Sequence, residues 1–264
     1  MSIQDVKQLV RLEKNNGIAT VTIDNPPLNV LSGQVMSELK SVFETIAGDH
    51  EIVVAILTGA GNRAFMAGAD IKEFPQSIGK KGMKDHVMQQ HVVFNLIDFL
   101  PKPTIAVLNG LTLGGGCELA ITCDIRIAEE HAQLGLPEVK LGLFPGGGGT
   151  QRLPRMIGEA KAKELMFVGD PISAQEAEKL GLVNKVVPTG QGMEEALAMA
   201  KKISGYSLQA LSRIKKAVDE GTNMEFHAGI EREAELFEEV FLTEDVKEGV
   251  SAFIEKRKPV FAHK

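Results

Sequence analysis

The sequence predicts an α/β fold that gives way to an all-helical C-terminal third, and three observations carry this. Short β-branched, apolar runs at 51–59, 104–110 and 124–128 alternate with amphipathic helical stretches over the first two-thirds of the chain. Glycine-bearing loops follow these runs, which suits parallel strands joined by right-handed crossovers. From Gly192 onward, four amphipathic helical segments follow with no strand between them. The chain therefore divides into a core, 1–191, and a helical region, 192–264.

Taken in order, residues 8–24 read as a hairpin: Val10 and Leu12 alternate with charge, Asn15-Asn16-Gly17 turns, and Ile18 to Ile23 returns. Pro26 and Pro27 break the strand, because proline offers no ladder donor. Ser32 is placed to cap a helix whose Val35, Leu39, Val42, Phe43 and Ile46 repeat at helical spacing. The run 51–59 reads as a buried parallel strand, and 59–74 as a loop of small residues ending in a helix start near Asp70. Residues 75–90 are polar and glycine-containing and read as a mobile, lid-like segment, followed by a helix that Pro101 and Pro103 stop. A second buried strand, 104–110, feeds Gly114-Gly115-Gly116 and a helix. A strand from Ile125 leads through a loop carrying Pro137-Glu138 and four glycines to a helix near Thr150. A helix ended by Gly169, a short helix capped at Ser173 and a strand in 182–187 complete the core.

Composition narrows the function. The 264 residues suffice for a substantial core, and 44% hydrophobic with 24% charged residues is ordinary for a globular protein. No apolar window is long enough to span a bilayer, and the mixed charges of the N-terminus argue against export, leaving the cytoplasm as the expected compartment. A net charge of −6 weighs against nucleic acid or an anionic membrane as partner. Cys117 and Cys123 form no CxxC pair and read as buried structural residues. The six histidines show no HExxH or paired metal-ligand spacing, so no metal is expected. There is no GxGxxG after a strand, no GxxxxGK[ST] loop and no GxSxG elbow, so nucleotide cofactors and a serine nucleophile are disfavoured.

What remains is glycine-rich backbone with carboxylates. Three glycines in a row let N–H groups approach a ligand closely, and the helix after them opens with unpaired N–H groups. Glu118, in its first turn, is either a surface residue complementing the helix dipole or an acid/base catalyst. Glu138 lies 20 residues on, an interval that fits one strand and one turn. The loop GADIK, 68–72, offers a second close approach of backbone. Backbone donors from two loops with two carboxylates suit chemistry at a carbonyl, the donors holding an oxyanion and the carboxylates moving protons. The plainer alternative has both glutamates capping helices or facing water.

FMAGADIKEF, the run LGGGCELAITCDIRIA and LGLPEVKLGLFPGGGGTQRLPRMIG together resemble the enoyl-CoA hydratase (crotonase) family, as does the C-terminal TEDVKEGVSAFIEKRKPVF. The resemblance is co-linear over nearly the whole chain. It implies a spiral of ββα turns followed by a helical trimerisation region, assembled as trimers or dimers of trimers. It also implies an acyl-CoA thioester substrate with no cofactor beyond the coenzyme A that is part of that substrate. On matching positions the oxyanion donors are the N–H groups of Ala69 and Gly115, and the catalytic pair is Glu118 and Glu138. With both glutamates present, the implied reaction is hydration of a 2-enoyl-CoA to the 3-hydroxyacyl-CoA in fatty-acid or branched-chain acid breakdown.

The coenzyme A contacts carried over are Pro27 and Leu28 in the first loop, Ala67, Asp70 and Ile71 around the adenine pocket, and Phe237 and Lys256 reaching a neighbouring subunit. The first loop is a residue shorter than in many relatives and lacks their basic residue, which weakens that carry-over. Phe237 reads equally as a core aromatic, and Lys256 as part of a solvated basic face. Competing readings are double-bond isomerisation, another acyl-CoA reaction on the same fold, and a non-catalytic RNA-binding relative.

Overall fold

The computed structural model describes residues 7–264. The chain begins with the expected hairpin, β1 (Val10–Asn15) and β2 (Ile18–Ile23), paired antiparallel from Val10↔Ile23 to Asn15↔Ile18. Its two-residue turn needs left-handed backbone twice, which Asn16 (φ 48°) and Gly17 (φ 77°) supply. The first helix, α1 (Gly33–Gly48), is capped by Ser32, whose hydroxyl accepts from the Val35 N–H, and it buries the five apolar residues that its periodicity selects.

The chain then visits two sheets in turn. β3 (Val54–Gly59), β5 (Thr104–Leu108) and β7 (Ile125–Glu129) join a six-stranded sheet of order β1-β2-β3-β5-β7, closed by the strand Lys185–Val187. β4 (Ala64–Ala67), β6 (Leu111–Leu113) and β8 (Gln133–Gly135) join a four-stranded sheet of order β4-β6-β8, closed by the strand Ile172–Ser173. Between the pairs lie α2 (Met83–Asp98) and α3 (Gly115–Ala120), and after the third pair α4 (Gly149–Ile157) and α5 (Glu159–Val168). Two strands and a helix therefore make each turn of a spiral, with one strand in each sheet. The core closes with β9 (Ile172–Ser173), α6 (Ala174–Lys179), capped by Ser173 as expected, and β10 (Lys185–Val187).

The central strands are buried on both faces, which is why they read as continuous apolar runs. Ala55 and Leu57 of β3 and Ala106 and Leu108 of β5 face the main core with α1 and α2. Val54, Ile56, Ile105, Val107 and Ile127 point the other way, against Ala196 and Ala200 of α7 (Gly192–Ile203). The first helix of the C-terminal region thus serves as the outer layer of the sheet, and the helices that stand clear of it begin with α8 (Leu208–Gly221). α9 (Phe226–Phe241) and α10 (Glu244–Ile254) complete the chain.

Three expectations need correction. The segment 75–90 is not loop throughout: a short 3-10 helix spans Ile71–Gln76 and α2 begins at Met83. Its polar first half stays exposed, so periodicity only emerges from Val93, where burial starts. Residues 64–67 and 133–135, read as loops, form β4 and β8; three- and four-residue strands are too short for an alternation to register. As a result the interval between Glu118 and Glu138 holds two strands, β7 and β8, rather than one. Cys117 and Cys123 are buried free thiols, and burial pushes both up to about 12, so neither is a ready nucleophile. No helix among the described residues is long and apolar enough to cross a membrane.

Among the described residues, one ion pair joins α8 to the core. Lys215 of α8 is 9% exposed and its Nζ lies 3.0 Å from Asp124 Oδ2, the oxygen that also accepts from the Thr104 N–H and hydroxyl. Lys215→Met removes the charged partner and leaves that carboxylate its Thr104 donors, and is expected to lower the unfolding free energy by roughly 2–3 kcal/mol, less than for a fully buried pair because Asp124 is partly exposed. Urea denaturation checks it, and an unchanged midpoint would show that the tail docks without this pair.

Candidate active site

β4, β6 and β8 are parallel neighbours, and their last residues, Ala67, Leu113 and Gly135, are in register across the sheet. The loops that leave them must therefore emerge side by side. Two residues beyond the aligned ends stand Ala69 and Gly115, and three beyond the third stands Glu138. Carboxyl ends of parallel strands are where open α/β sheets bind ligands, since loops diverge there and backbone donors become free.

Local backbone aims the donors. Leu31 forms an isolated parallel bridge with Ala69, donating its N–H to the Gly68 oxygen (2.9 Å) and accepting from the Asp70 N–H (3.0 Å). In that pattern the Ala69 N–H points away from the bridge, and it meets no acceptor among the described residues. Gly115 opens α3, so its N–H has no partner within the helix. The two donors converge: a Cβ built on Gly115 would lie 3.8 Å from the Ala69 nitrogen. Gly114 reaches this geometry at φ 54°, ψ −126°, a conformation for glycine alone. At Gly116 a Cβ would collide with the Met66 carbonyl oxygen, so the third glycine is required by the packing of α3 against β4.

Glu118 is 3% exposed, which removes the surface-residue alternative. Its Oε1 accepts from the N–H groups of Gly147 (2.7 Å) and Gly149 (2.9 Å), and its Oε2 has no hydrogen-bond partner among the described residues. Burial pushes the carboxyl up to about 7 against the pull of those two N–H groups, with Glu138 adding to the rise. Glu138 lies in a 3-10 turn at Pro137–Leu141. Its Oε1 would be 3.2 Å from a Cβ on Gly114, while its Oε2 is buried and unbonded. Burial raises it as well. Two donors and two carboxyls thus crowd one place, and the arrangement can hold an oxyanion and move protons.

The run of glycines at 146–149 is the feature whose role sequence reasoning missed. It fails as a phosphate loop, yet its N–H groups clamp Glu118. Arg152 of α4 fastens this loop to α2 through Asp98 Oδ2 (2.7 Å), Asn95 Oδ1 (2.8 Å) and the Gly147 oxygen (3.4 Å). The signal was there as GGGGTQR, but only the fold brings it to Glu118.

The predicted coenzyme A positions fall into two groups. The Ala67 N–H donates to the Leu28 oxygen (3.0 Å), so Pro27, Leu28, Ala67, Asp70 and Ile71 lie on adjacent loops beside the donors. Asp70 caps the 3-10 helix by accepting from the Lys72 N–H, and Ile71 is 56% exposed. Phe237 and Lys256 sit on the tail, apart from these loops. Phe237 is 63% exposed and packs on Phe241 at 5.0 Å between ring centroids, so it is no core aromatic.

Fold and site define the class, an α/β spiral enzyme in which two unpaired backbone N–H groups stand beside two carboxyls. The family model for enoyl-CoA hydratase/isomerase matches residues 13–264. The chain is 44% identical to a short-chain-enoyl-CoA hydratase of Clostridium acetobutylicum, covering 94% of this chain and 95% of that one. It is 42% identical to a crotonyl-CoA hydratase of Syntrophomonas wolfei, covering 96% and 97%. An enoyl-CoA hydratase crystal structure from Bacillus anthracis superposes with a TM-score of 0.93 at 39% identity, covering 97% and 100%. The chain belongs to the enoyl-CoA hydratase/isomerase family.

Two glycine substitutions separate folding from site geometry. Gly116→Ala is expected to lower the melting temperature by several degrees, because a backbone carbonyl cannot yield. At Gly147 a Cβ would meet the ends of two side chains instead, Glu118 Oε2 at 2.6 Å and Gln90 Nε2 at 2.7 Å. Gly147→Ala should therefore leave the melting temperature nearly unchanged while displacing the carboxylate and lowering turnover about tenfold or more. Calorimetry and an activity assay on both variants check the contrast.

Proposed function

We propose that this protein is an enoyl-CoA hydratase, adding water across the 2,3 double bond of a 2-enoyl-CoA to give the 3-hydroxyacyl-CoA. The observation that carries the reading is the convergence of two unpartnered N–H groups, Ala69 and Gly115, beside the buried Glu118 and the half-buried Glu138, whose Oε2 is enclosed. Short-chain and crotonyl-CoA hydratases among the relatives support a short acyl chain.

The thioester oxygen accepts from the Ala69 and Gly115 N–H groups, which draws electrons from the β-carbon and stabilises the enolate as it forms. Donors of this kind are each worth about 10²–10³ in rate. Glu118 is the base. Two N–H groups on Oε1 favour its ionised form, and the unbonded Oε2 is free to take a proton from water. Glu138 is the acid, because a buried oxygen with no donor favours the neutral carboxyl. As the water oxygen bonds to the β-carbon, Glu118 takes one proton and Glu138 delivers another to the α-carbon. The two carboxyls end with charges exchanged and are reset through solvent once product leaves.

Coenzyme A lies along the loops carrying Pro27, Leu28, Ala67, Asp70 and Ile71, with Phe237 and Lys256 reaching a site in a neighbouring copy. The tail supports assembly into a trimer or a dimer of trimers. Phe226, Phe237, Phe241, Leu242, Phe253 and Ile254 are 60–85% exposed in the single chain, far more apolar surface than a monomer leaves to water.

With crotonyl-CoA, loss of the enoyl thioester absorbance reads turnover. Glu118→Gln and Glu138→Gln should each fold normally and lose roughly 10²–10⁴ in kcat. Because Glu118 must be ionised and its pKa lies at about 7, kcat should fall as pH drops through that value. Full activity in either variant would refute the pair's role. Light scattering should give three or six times the 28.5 kDa chain mass, and a monomer would refute the assembly.

A further inference from the structure

α2 buries Val93, Phe94 and Ile97, and one turn before Phe94 the same stripe carries a polar residue, Gln90. Its carboxamide makes no hydrogen bond among the described residues, although the side chain is half-buried. Gln90 Nε2 and Glu118 Oε2 approach the same point, 2.7 Å and 2.6 Å respectively from where a Gly147 Cβ would stand. One is a donor without an acceptor, the other an acceptor without a donor. Only the missing side chain at Gly147 lets them share that space.

We propose that Gln90 is a positioning residue for Glu118, its carboxamide N–H orienting the free carboxylate oxygen directly or across one water. The proposal rests on the hydratase reading. The backbone clamp fixes Oε1 alone, so the carboxylate can still rotate about that anchor. A donor on Oε2 stops the rotation and favours the charged form of the base. The helix that carries Gln90 is itself held to the glycine loop by Asn95 and Asp98 through Arg152. Loop, helix and carboxylate are therefore one rigid unit.

The other charged or titratable groups around Glu118 are Glu138 from the 3-10 turn, Arg152 from α4, and Cys117 beside it in α3. His91 and Asp98 from α2 lie against the glycine loop and Arg152. None of them offers a donor to Oε2.

The test measures kcat and KM for crotonyl-CoA across pH in wild type, Gln90→Leu and Gln90→Glu, with melting temperatures alongside. Leucine keeps the bulk on a helix it suits but removes the donor. In Gln90→Leu, kcat should fall about tenfold or more with KM little changed. The pH limb that reports Glu118 should move upward, since the charged form has lost a favourable contact. Gln90→Glu places a second negative charge there and should move that limb further. Wild-type kcat and pH profile in Gln90→Leu would overturn the proposal. A loss of kcat that tracks a lowered melting temperature with no limb moved would also overturn it, as a packing effect. An inert wild-type protein would instead refute the hydratase reading on which the proposal stands.

Discussion

The in-register ending of β4, β6 and β8 is the constraint on which the rest of the site depends. Parallel strands ending at Ala67, Leu113 and Gly135 release three loops at one height, so residues 69, 115 and 138 become neighbours although 69 positions separate the outer two. A shift of one residue in any of the three strands would turn its loop and carry a donor or a carboxyl away from the others. The alternation of successive strands between two sheets fixes the register. Each short strand is tethered by the buried strand before it, and the six-stranded sheet gives that tether a rigid base.

Glycines express the same constraint. Gly114 provides a backbone that no other residue adopts, Gly116 lets α3 sit against the Met66 carbonyl, and Gly147 leaves room for the Glu118 carboxylate. Each is small for a different reason, and only one of the three reasons is conformational. Ala69 needs no glycine, because the bridge to Leu31 turns its N–H outward.

The electrostatics follow from burial balanced by backbone donors. Glu118 is desolvated enough to be raised to about 7, yet two N–H groups keep an ionised form within reach. Glu138 lacks such donors on its buried oxygen and leans toward the neutral form. Two carboxyls of one chemical type thus stand in unlike surroundings, and the proposed division of base and acid between them rests on that difference.

The sequence by itself determined the α/β core, the helical tail, the hairpin, the Ser32-capped helix and the buried strands, because each leaves a pattern legible within a short stretch of residues. The resemblance of three co-linear motifs then pointed to Glu118, Glu138, Ala69 and Gly115. Tertiary structure decided the rest. β4 and β8 exist because a partner strand pairs with them, not because three or four residues prefer extension. The glycine run at 146–149 became a clamp, Arg152 its fastener and Gln90 a neighbour of Glu118 only once α2 and α4 had packed together. No local pattern encodes these meetings, because a hydrogen bond between residues 118 and 147 is set by how the spiral closes and not by the side chains on either side of them.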